Sequence, residues 1–346
     1  MPYIPCEKIR ELTPYDPVEG EYRIRLDANE SFFLPTDEDC ARIAQAAADT
    51  ALNRYPDPMA RELCGAFARL YGVNSELVTA GNGSDELLFV LASAFLQKGD
   101  TVLTLSPDFS MYRFYAAQAE ARCVTLEKSG DLLPDIDEMI AAVRAENVRM
   151  VMFSNPCNPT SRGVHADEVR RLIAGCPDAL IVLDEAYMDF WNQSLLQEIE
   201  KYDNLIILRT ASKALGLAAL RVGFAVASPA LTCLLRAAKS PYNVGAVTQA
   251  MAAAVLENPA YIREYVPLIL SSRDMLVEGL RRLGFEVYDS CTNFAFVHTD
   301  RAAELYEKLA ECGIVVRQFG GKYLRITAGT EYENNELLRC LKGVCL

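Results

Sequence analysis

Through the first two thirds of the chain, short apolar runs alternate with longer stretches whose apolar residues recur at helical spacing. The runs are Thr101 to Leu105, Val148 to Phe153, Leu180 to Leu183 and Leu205 to Leu208, with a further one over residues 222 to 227. A strand that is apolar on both faces offers nothing to water, so it belongs in a sheet covered on both sides, the usual condition of parallel sheets with helical crossovers. Helices are predicted over Cys40 to Leu52, Arg61 to Tyr71, Leu87 to Leu96 and Pro229 to Ala238. The first stops before Asn53-Arg54-Tyr55-Pro56-Asp57-Pro58, where two prolines forbid continuation, and the second is closed by Gly72.

The C-terminal part has a different rhythm. Tyr261 to Leu283 is predicted as one long helix, followed by strands at Glu286 to Tyr288 and Asn293 to Val297, a helix over Ala302 to Cys312, and strands at Ile314 to Arg317 and Leu324 to Thr327. These make an α+β layer. Residues 1–35 are rich in Pro, Tyr and charge and lack a sustained period, so they are expected to form an arm lying over something larger. The expected fold is α/β: an arm at 1–35, a large domain at 36–235 with a mostly parallel central sheet and helices on both faces, and a smaller α+β domain at 236–346. Proline and glycine interrupt the pattern near residues 228–244, which places the boundary there.

Composition narrows the partners. With 346 residues, 51% of them hydrophobic and 23% charged, the chain has the make-up of a soluble globular enzyme. A net charge of -13 argues against nucleic acid or an anionic membrane as partner, since both call for a basic face. The 11 cysteines are scattered with no C-x-x-C pair, which suggests reduced, mostly buried thiols rather than a disulfide framework or a zinc site. No apolar leader or membrane-length run is present, and a cytoplasmic location is expected. Only His165 and His298 exist, so neither a histidine-rich metal site nor a Ser-His-Asp triad is expected, and no metal is assigned.

Ligands of parallel sheets bind beyond the carboxyl ends of the strands, so the residues after each run carry the candidate chemistry. They are Ser106-Pro107-Asp108-Phe109-Ser110-Met111-Tyr112, then Ser154-Asn155-Pro156-Cys157-Asn158-Pro159-Thr160, then Asp184-Glu185-Ala186-Tyr187, and finally Thr210, Ser212 and Lys213 with Arg221 beyond. A lysine at the carboxyl end of a buried strand can lose its proton and become a nucleophile toward a carbonyl. Upstream, Gly81-Asn82-Gly83-Ser84-Asp85-Glu86 opens a helix and forms a possible anion cradle, because exposed amides and the helix dipole point at one spot. It is not a dinucleotide fingerprint, since Glu86 stands where the third glycine would be, and Ser84 or Asp85 would also serve as an ordinary N-cap.

One cofactor calls for this combination. Pyridoxal 5'-phosphate has an aldehyde for a lysine, a ring nitrogen that must stay protonated, a phenolic oxygen and a phosphate dianion. Lys213 suits the aldehyde, Asp184 the ring nitrogen, Asn158 and Tyr187 the phenolic oxygen, and Phe109 the ring face. Ser212 and Arg221, with the amides of Ser84 and Asp85, suit the phosphate, and Gly83 and Thr210 complete the set.

The blocks Asn158-Pro159-Thr160, Asp184-Glu185-Ala186-Tyr187, Ser212-Lys213-Ala214-Leu215-Gly216-Leu217 with Arg221, and Leu324-Arg325-Ile326-Thr327 resemble class I and II aminotransferases of fold type I. More narrowly, Leu12-Thr13-Pro14-Tyr15, Asp27-Ala28-Asn29-Glu30, Asn53-Arg54-Tyr55-Pro56-Asp57 and the glycine turn resemble the histidinol-phosphate aminotransferase family, over nearly the whole chain. The resemblance implies that Lys213, Asp184 and Tyr187 are catalytic, with Lys213 the lysine joined to the cofactor. It implies that Tyr55 reaches the cofactor phosphate of a neighbouring subunit, hence a homodimer with shared sites. It also implies that Arg325 and Arg317 bind substrate anions, that Asn29 contributes to the substrate site, and that Tyr15 closes over the substrate.

The implied reaction is a ping-pong amino transfer between histidinol phosphate and 2-oxoglutarate or glutamate. A transaminase for aromatic or other amino acids, a phosphothreonine decarboxylase, and a non-enzymatic regulator on the same body are the competing readings. The last is disfavoured because the first 35 residues are too short for a DNA-binding domain and the charge is wrong for one. The chain departs from the family at Ser161 and Ala219, where Gly is usual, at Phe109, commonly Tyr, and at Ser31-Phe32-Phe33-Leu34-Pro35, which replaces a compact Pro-Gly segment. The last lies near the substrate and bears on its identity.

Overall fold

The computed structural model describes residues 3–10 and 18–345. Thr13, Pro14 and Tyr15 therefore lie outside the described residues. The arm contributes one short strand, Ile24–Arg25 (β1). It is followed by a seven-stranded sheet made of Val78–Gly81 (β2), Thr101–Ser106 (β3), Arg122–Glu127 (β4), Val148–Ser154 (β5), Leu180–Asp184 (β6), Leu205–Thr210 (β7) and Gly223–Ala227 (β8). Its order is β2-β8-β7-β6-β5-β3-β4, parallel throughout except that β8 runs antiparallel to both neighbours.

Alternate residues of the same strands enter opposite cores, the physical reason the runs are apolar at successive positions. Leu103, Val151, Phe153, Ile181, Leu183, Leu205 and Ile207 face one layer, with helices Arg61–Tyr71, Ile136–Ala145 and Ala166–Gly175. Val102, Met150, Met152, Val182, Ile206 and Leu208 face the other, with helices Ser84–Phe95, Met111–Gln118 and Pro229–Ala238. The carboxyl ends of β3, β5, β6 and β7 thus emerge at one rim.

A second core gathers helix Val266–Arg282, strands Glu286–Val287 (β9) and Phe294–His298 (β10), helix Ala302–Glu311, strands Ile314–Val315 (β11), Arg317–Phe319 (β12) and Tyr323–Thr327 (β13), and helix Glu331–Cys345. The arm is built into it. β1 pairs in parallel with β11, Ile24 and Leu26 join its core, and the amide of Thr327 donates to the carbonyl of Leu26 at 3.0 Å.

Several element bounds differ from expectation for local reasons. The first long helix spans Asp37–Ala48, because Thr36 caps it through the amide of Asp39 and three acidic residues fill its first turn. The expected single helix from Tyr261 is a π-turn at Tyr261–Tyr265 followed by helix Val266–Arg282, where Pro267 lacks an amide hydrogen. Helix Ala246–Leu256 carries no predicted counterpart, and residues 244–261 pack into the parallel-sheet core, downstream of the expected 235/236 boundary. We propose that the two units divide after Tyr265. The cysteines also differ from expectation: Cys312 and Cys340 are joined as a disulfide between the last two helices, and Cys6, Cys40, Cys123 and Cys233 are exposed, so the thiols are neither all reduced nor mostly buried.

Candidate active site

Where β6 and β7 end, the sheet opens on a cavity of about 260 Å³ between the two cores. Lys213 stands on the turn after β7. Gly216, in the left-handed region at φ 67°, reverses the chain, and its amide bonds the Lys213 carbonyl at 3.1 Å. The half-buried Lys213 side chain projects into the cavity, where Nζ donates to the carbonyl of Ala28 at 2.9 Å and lies 5.8 Å from the Tyr187 ring centroid.

Asp184 terminates β6 and is 5% exposed. Its Oδ1 accepts from the amide of Ala186 at 3.0 Å and its Oδ2 from the Tyr112 hydroxyl at 2.9 Å. Burial pushes its carboxyl up to about 7, with those two donors pulling the other way. Tyr187 is buried, and its hydroxyl accepts from Asn29 Nδ2 at 2.9 Å. Asn29 holds the left-handed region at φ 55° and is pinned by Thr327, so the arm and β13 together deliver its amide. Arg325 of β13 reaches Asn158 Oδ1 at 2.5 Å and the carbonyl of Asp27. Its neighbour across the ladder is Arg317, half-buried on β12, and both line the cavity.

The glycine turn forms the opposite wall. Gly83, at φ 85° and ψ 163°, precedes helix Ser84–Phe95, and no side chain among the described residues caps that helix, so its first-turn amides suit an anion. The positive φ of Gly83 disfavours any side chain there, and a Cβ on Gly223 would sit 2.3 Å from the amide nitrogen of Ser84, so that position must stay bare. Arg221 is itself left-handed at φ 52°, a strained conformation for this residue, and bonds Ser212 Oγ at 3.4 Å with Asp85 3.8 Å away. Among the described residues, Asp85 Oδ1 is buried without a hydrogen-bond partner. Thr210 lines the floor, where its Oγ1 accepts from the amide of Ser212 at 3.1 Å.

Of the expected site residues, Ser84, Asp85, Phe109, Asn158, Asp184, Tyr187, Thr210, Ser212, Lys213, Arg221, Asn29, Arg317 and Arg325 share this one cavity. Gly83 lies behind it against Arg221. Tyr55 does not join: it is 81% exposed and stacked on Tyr242 at 4.6 Å. Tyr15 lies outside the described residues. An uncapped helix start beside a guanidinium, a half-buried amine and a wholly buried carboxylate fit the phosphate, aldehyde and ring nitrogen of pyridoxal phosphate.

The sequence profile of the family aminotransferase class I and II matches residues 23–341. A histidinol-phosphate aminotransferase of Clostridium novyi (strain NT) is 37% identical over 340 residues, covering 97% of this chain and 95% of that protein. The chain belongs to the class I and II aminotransferases, within the histidinol-phosphate aminotransferase family. A second relative of that description, from Caldanaerobacter subterraneus subsp. tengcongensis, is 33% identical over 98% of this chain and 97% of its own length. The solved histidinol-phosphate aminotransferase of Sinorhizobium meliloti, in complex with pyridoxal-5'-phosphate, superposes with a TM-score of 0.88 at 26% identity, covering 98% of this chain and 96% of that one. This aminotransferase is an enzyme of the transferase class that works with pyridoxal 5'-phosphate.

Tyr112, Ser154, Asp27 and Ala28 also line the aminotransferase's cavity, and sequence reasoning gave them no role. Tyr112 is the consequential omission. It lies in the first turn of the helix after β3, 1% exposed, and its hydroxyl is spent on Asp184. The available signal was position: a tyrosine just past a parallel strand end must bury its ring and still satisfy its oxygen.

Proposed function

We propose that this aminotransferase exchanges an amino group between histidinol phosphate and the glutamate/2-oxoglutarate pair, in the cytoplasm, as a homodimer whose Tyr55 completes the neighbouring site. The observation that carries the substrate reading is the Arg317–Arg325 pair. The two residues are register partners on β12 and β13, where like charges directly opposite destabilise a sheet unless an anion lies between them. Both line the cavity that holds Lys213 and Asp184, and paired guanidinium groups suit a phosphate or a carboxylate, the groups that the two substrates present in turn.

In this reading Asp184 would hold a proton at the cofactor's ring nitrogen, and Asn158 and Tyr187 would face its phenolic oxygen. The amides of Ser84 and Asp85, with Ser212, Thr210 and Arg221, would seat the phosphate, and Phe109 would cover the ring. The bound cofactor supplies an electron sink for the carbon that carries the amine. Lys213 Nζ then moves the proton to and from that carbon as general acid and base. Asn29 orients Tyr187, and Tyr15 would close over the substrate from the arm.

Support comes from the family membership of close to full-length relatives and from the shared rim of the cavity. The test is a parallel half-reaction series on the holoenzyme with histidinol phosphate, phenylalanine, phosphothreonine and glutamate, read as the change in the cofactor's absorbance. Histidinol phosphate and glutamate should react, and Arg325→Lys should raise KM for both by roughly 10- to 100-fold, the loss of charge-assisted hydrogen bonds. Reaction with phenylalanine alone, or carbon dioxide release from phosphothreonine, would overturn the assignment.

A further inference from the structure

One buried cluster has no part in the chemistry above. Asp108 follows β3, Lys128 follows β4, and Cys157 stands three residues beyond the end of β5. Lys128 Nζ lies 2.9 Å from Cys157 Sγ and 3.3 Å from Asp108 Oδ2. The Lys128 and Asp108 side chains are 2% and 1% exposed, and Cys157 is 3% exposed. Asp108 is further held by Ser154 Oγ and by the Phe109 amide at 2.8 Å, while the Cys157 thiol donates to the carbonyl of Pro107 at 3.6 Å. With its hydrogen turned toward that carbonyl, the sulfur turns lone-pair density toward the lysine. A wider cavity of about 780 Å³ lies beside the first, with Asp108 and Lys128 in its wall and Cys157 behind them.

A nitrogen and a sulfur this close, fixed on two loops and separated by little more than one atom, form a site for covalent joining through a single inserted oxygen. We propose that Lys128 and Cys157 form an oxygen-bridged N–O–S cross-link with dioxygen as the oxidant. Asp108 first takes the extra proton of the Lys128 ammonium. The S–H bond, one N–H bond and the O–O bond break, and S–O and O–N bonds form. One oxygen atom enters the bridge, and the other leaves as water with the hydrogens lost from sulfur and nitrogen. Sulfur and nitrogen each give up two electrons, and dioxygen accepts all four. A dithiol reverses the step by restoring thiol, amine and water, two dithiols being oxidised to disulfides.

The bridge staples the segment after β4 to the loop that carries Asn158 and removes the cation that faces Asp108, the residue whose carboxylate holds the Phe109 amide. It therefore acts on two residues of the active-site rim without occupying the site.

The test is the mass of the linked peptides. Holoenzyme purified in air is alkylated under denaturing conditions with and without prior dithiothreitol, then digested. The expected product without dithiothreitol is a joined pair of peptides containing Lys128 and Cys157, heavier than their sum by one oxygen less two hydrogens. Dithiothreitol should abolish it, and it should be absent from Cys157→Ser and Lys128→Arg. Should either variant fail to fold, the wild-type masses decide alone. The proposal is overturned by oxygen found on Cys157 with Lys128 unlinked, the ordinary sulfenic or sulfinic product, by a joined pair that lacks the added oxygen, or by fully alkylated Cys157 after prolonged exposure to oxygen.

Discussion

At Asp184 two opposing effects meet on one carboxylate: burial favours the neutral acid, and the Tyr112 hydroxyl and Ala186 amide favour the ion. Replacing Tyr112 with Phe removes one donor and nothing else of consequence in shape. The expected result is a rise of about one unit or more in the Asp184 titration, followed by carbon-13 NMR on cofactor-free protein, with turnover reduced about tenfold. A titration unchanged from wild type would remove Tyr112 from any tuning role. Asp184 also sets a pH dependence. Its folded value of about 7 lies above its ordinary 3.8, so between those limits the folded cofactor-free protein keeps a proton that the unfolded chain has released. Stability should therefore fall as pH rises from about 4 to about 7, by at most about 1.4 kcal/mol per unit, and level off above. Thermal melts across that range should show the slope in wild type and lose it in Asp184→Asn.

Among the elements, the turn after β6 is held by a buried charge network in addition to its own hydrogen bonds. Arg209 of β7 pairs with Glu185 at 3.3 Å and Asp189 at 3.0 Å, lies 4.9 Å from the Tyr71 ring centroid, and is joined through Asp189 to the Tyr71 hydroxyl at 3.2 Å. Two carboxylates on either side keep its guanidinium charged despite its burial. Arg209→Leu strands both acids in the core, and the expected cost is about 3–5 kcal/mol, measurable as a lowered urea midpoint. A loss below 1 kcal/mol would mean that water reaches the acids. Element legibility varied with burial. β3, β5, β6 and β7 were readable because both faces are covered. β4 was not, because Arg122-Cys123-Val124-Thr125-Leu126-Glu127 is an edge strand with exposed ends. Helix Ala246–Leu256 was missed because it is Ala-rich and apolar on most sides, leaving no polar stripe to mark its period.

For the molecule as a whole, the surface around residues 52–59 is unusual. Leu52 and Tyr55 are each 81% exposed, with Tyr242 at 48% and Met59 at 38%, an apolar patch that a lone chain leaves wet. If a second copy covers it, Tyr55→Asp should convert a dimer to a monomer in sedimentation at micromolar concentration and weaken cofactor retention with it. Cofactor retention that survives complete dissociation would contradict the shared-site reading.

The sequence by itself determined the sheet class, the glycine turn and the order in which Asn158, Asp184, Tyr187, Lys213 and Arg221 arrive, because period and strand-end position are local properties. Only the tertiary structure decided what those groups touch. Tyr112 on Asp184, Asn29 on Tyr187, Arg325 on Asn158 and Lys128 on Cys157 join residues 29 to 167 positions apart. Hydrogen bonds of that reach are made when the folded sheet and the packed units bring distant segments together, and no local window shows which partners will meet.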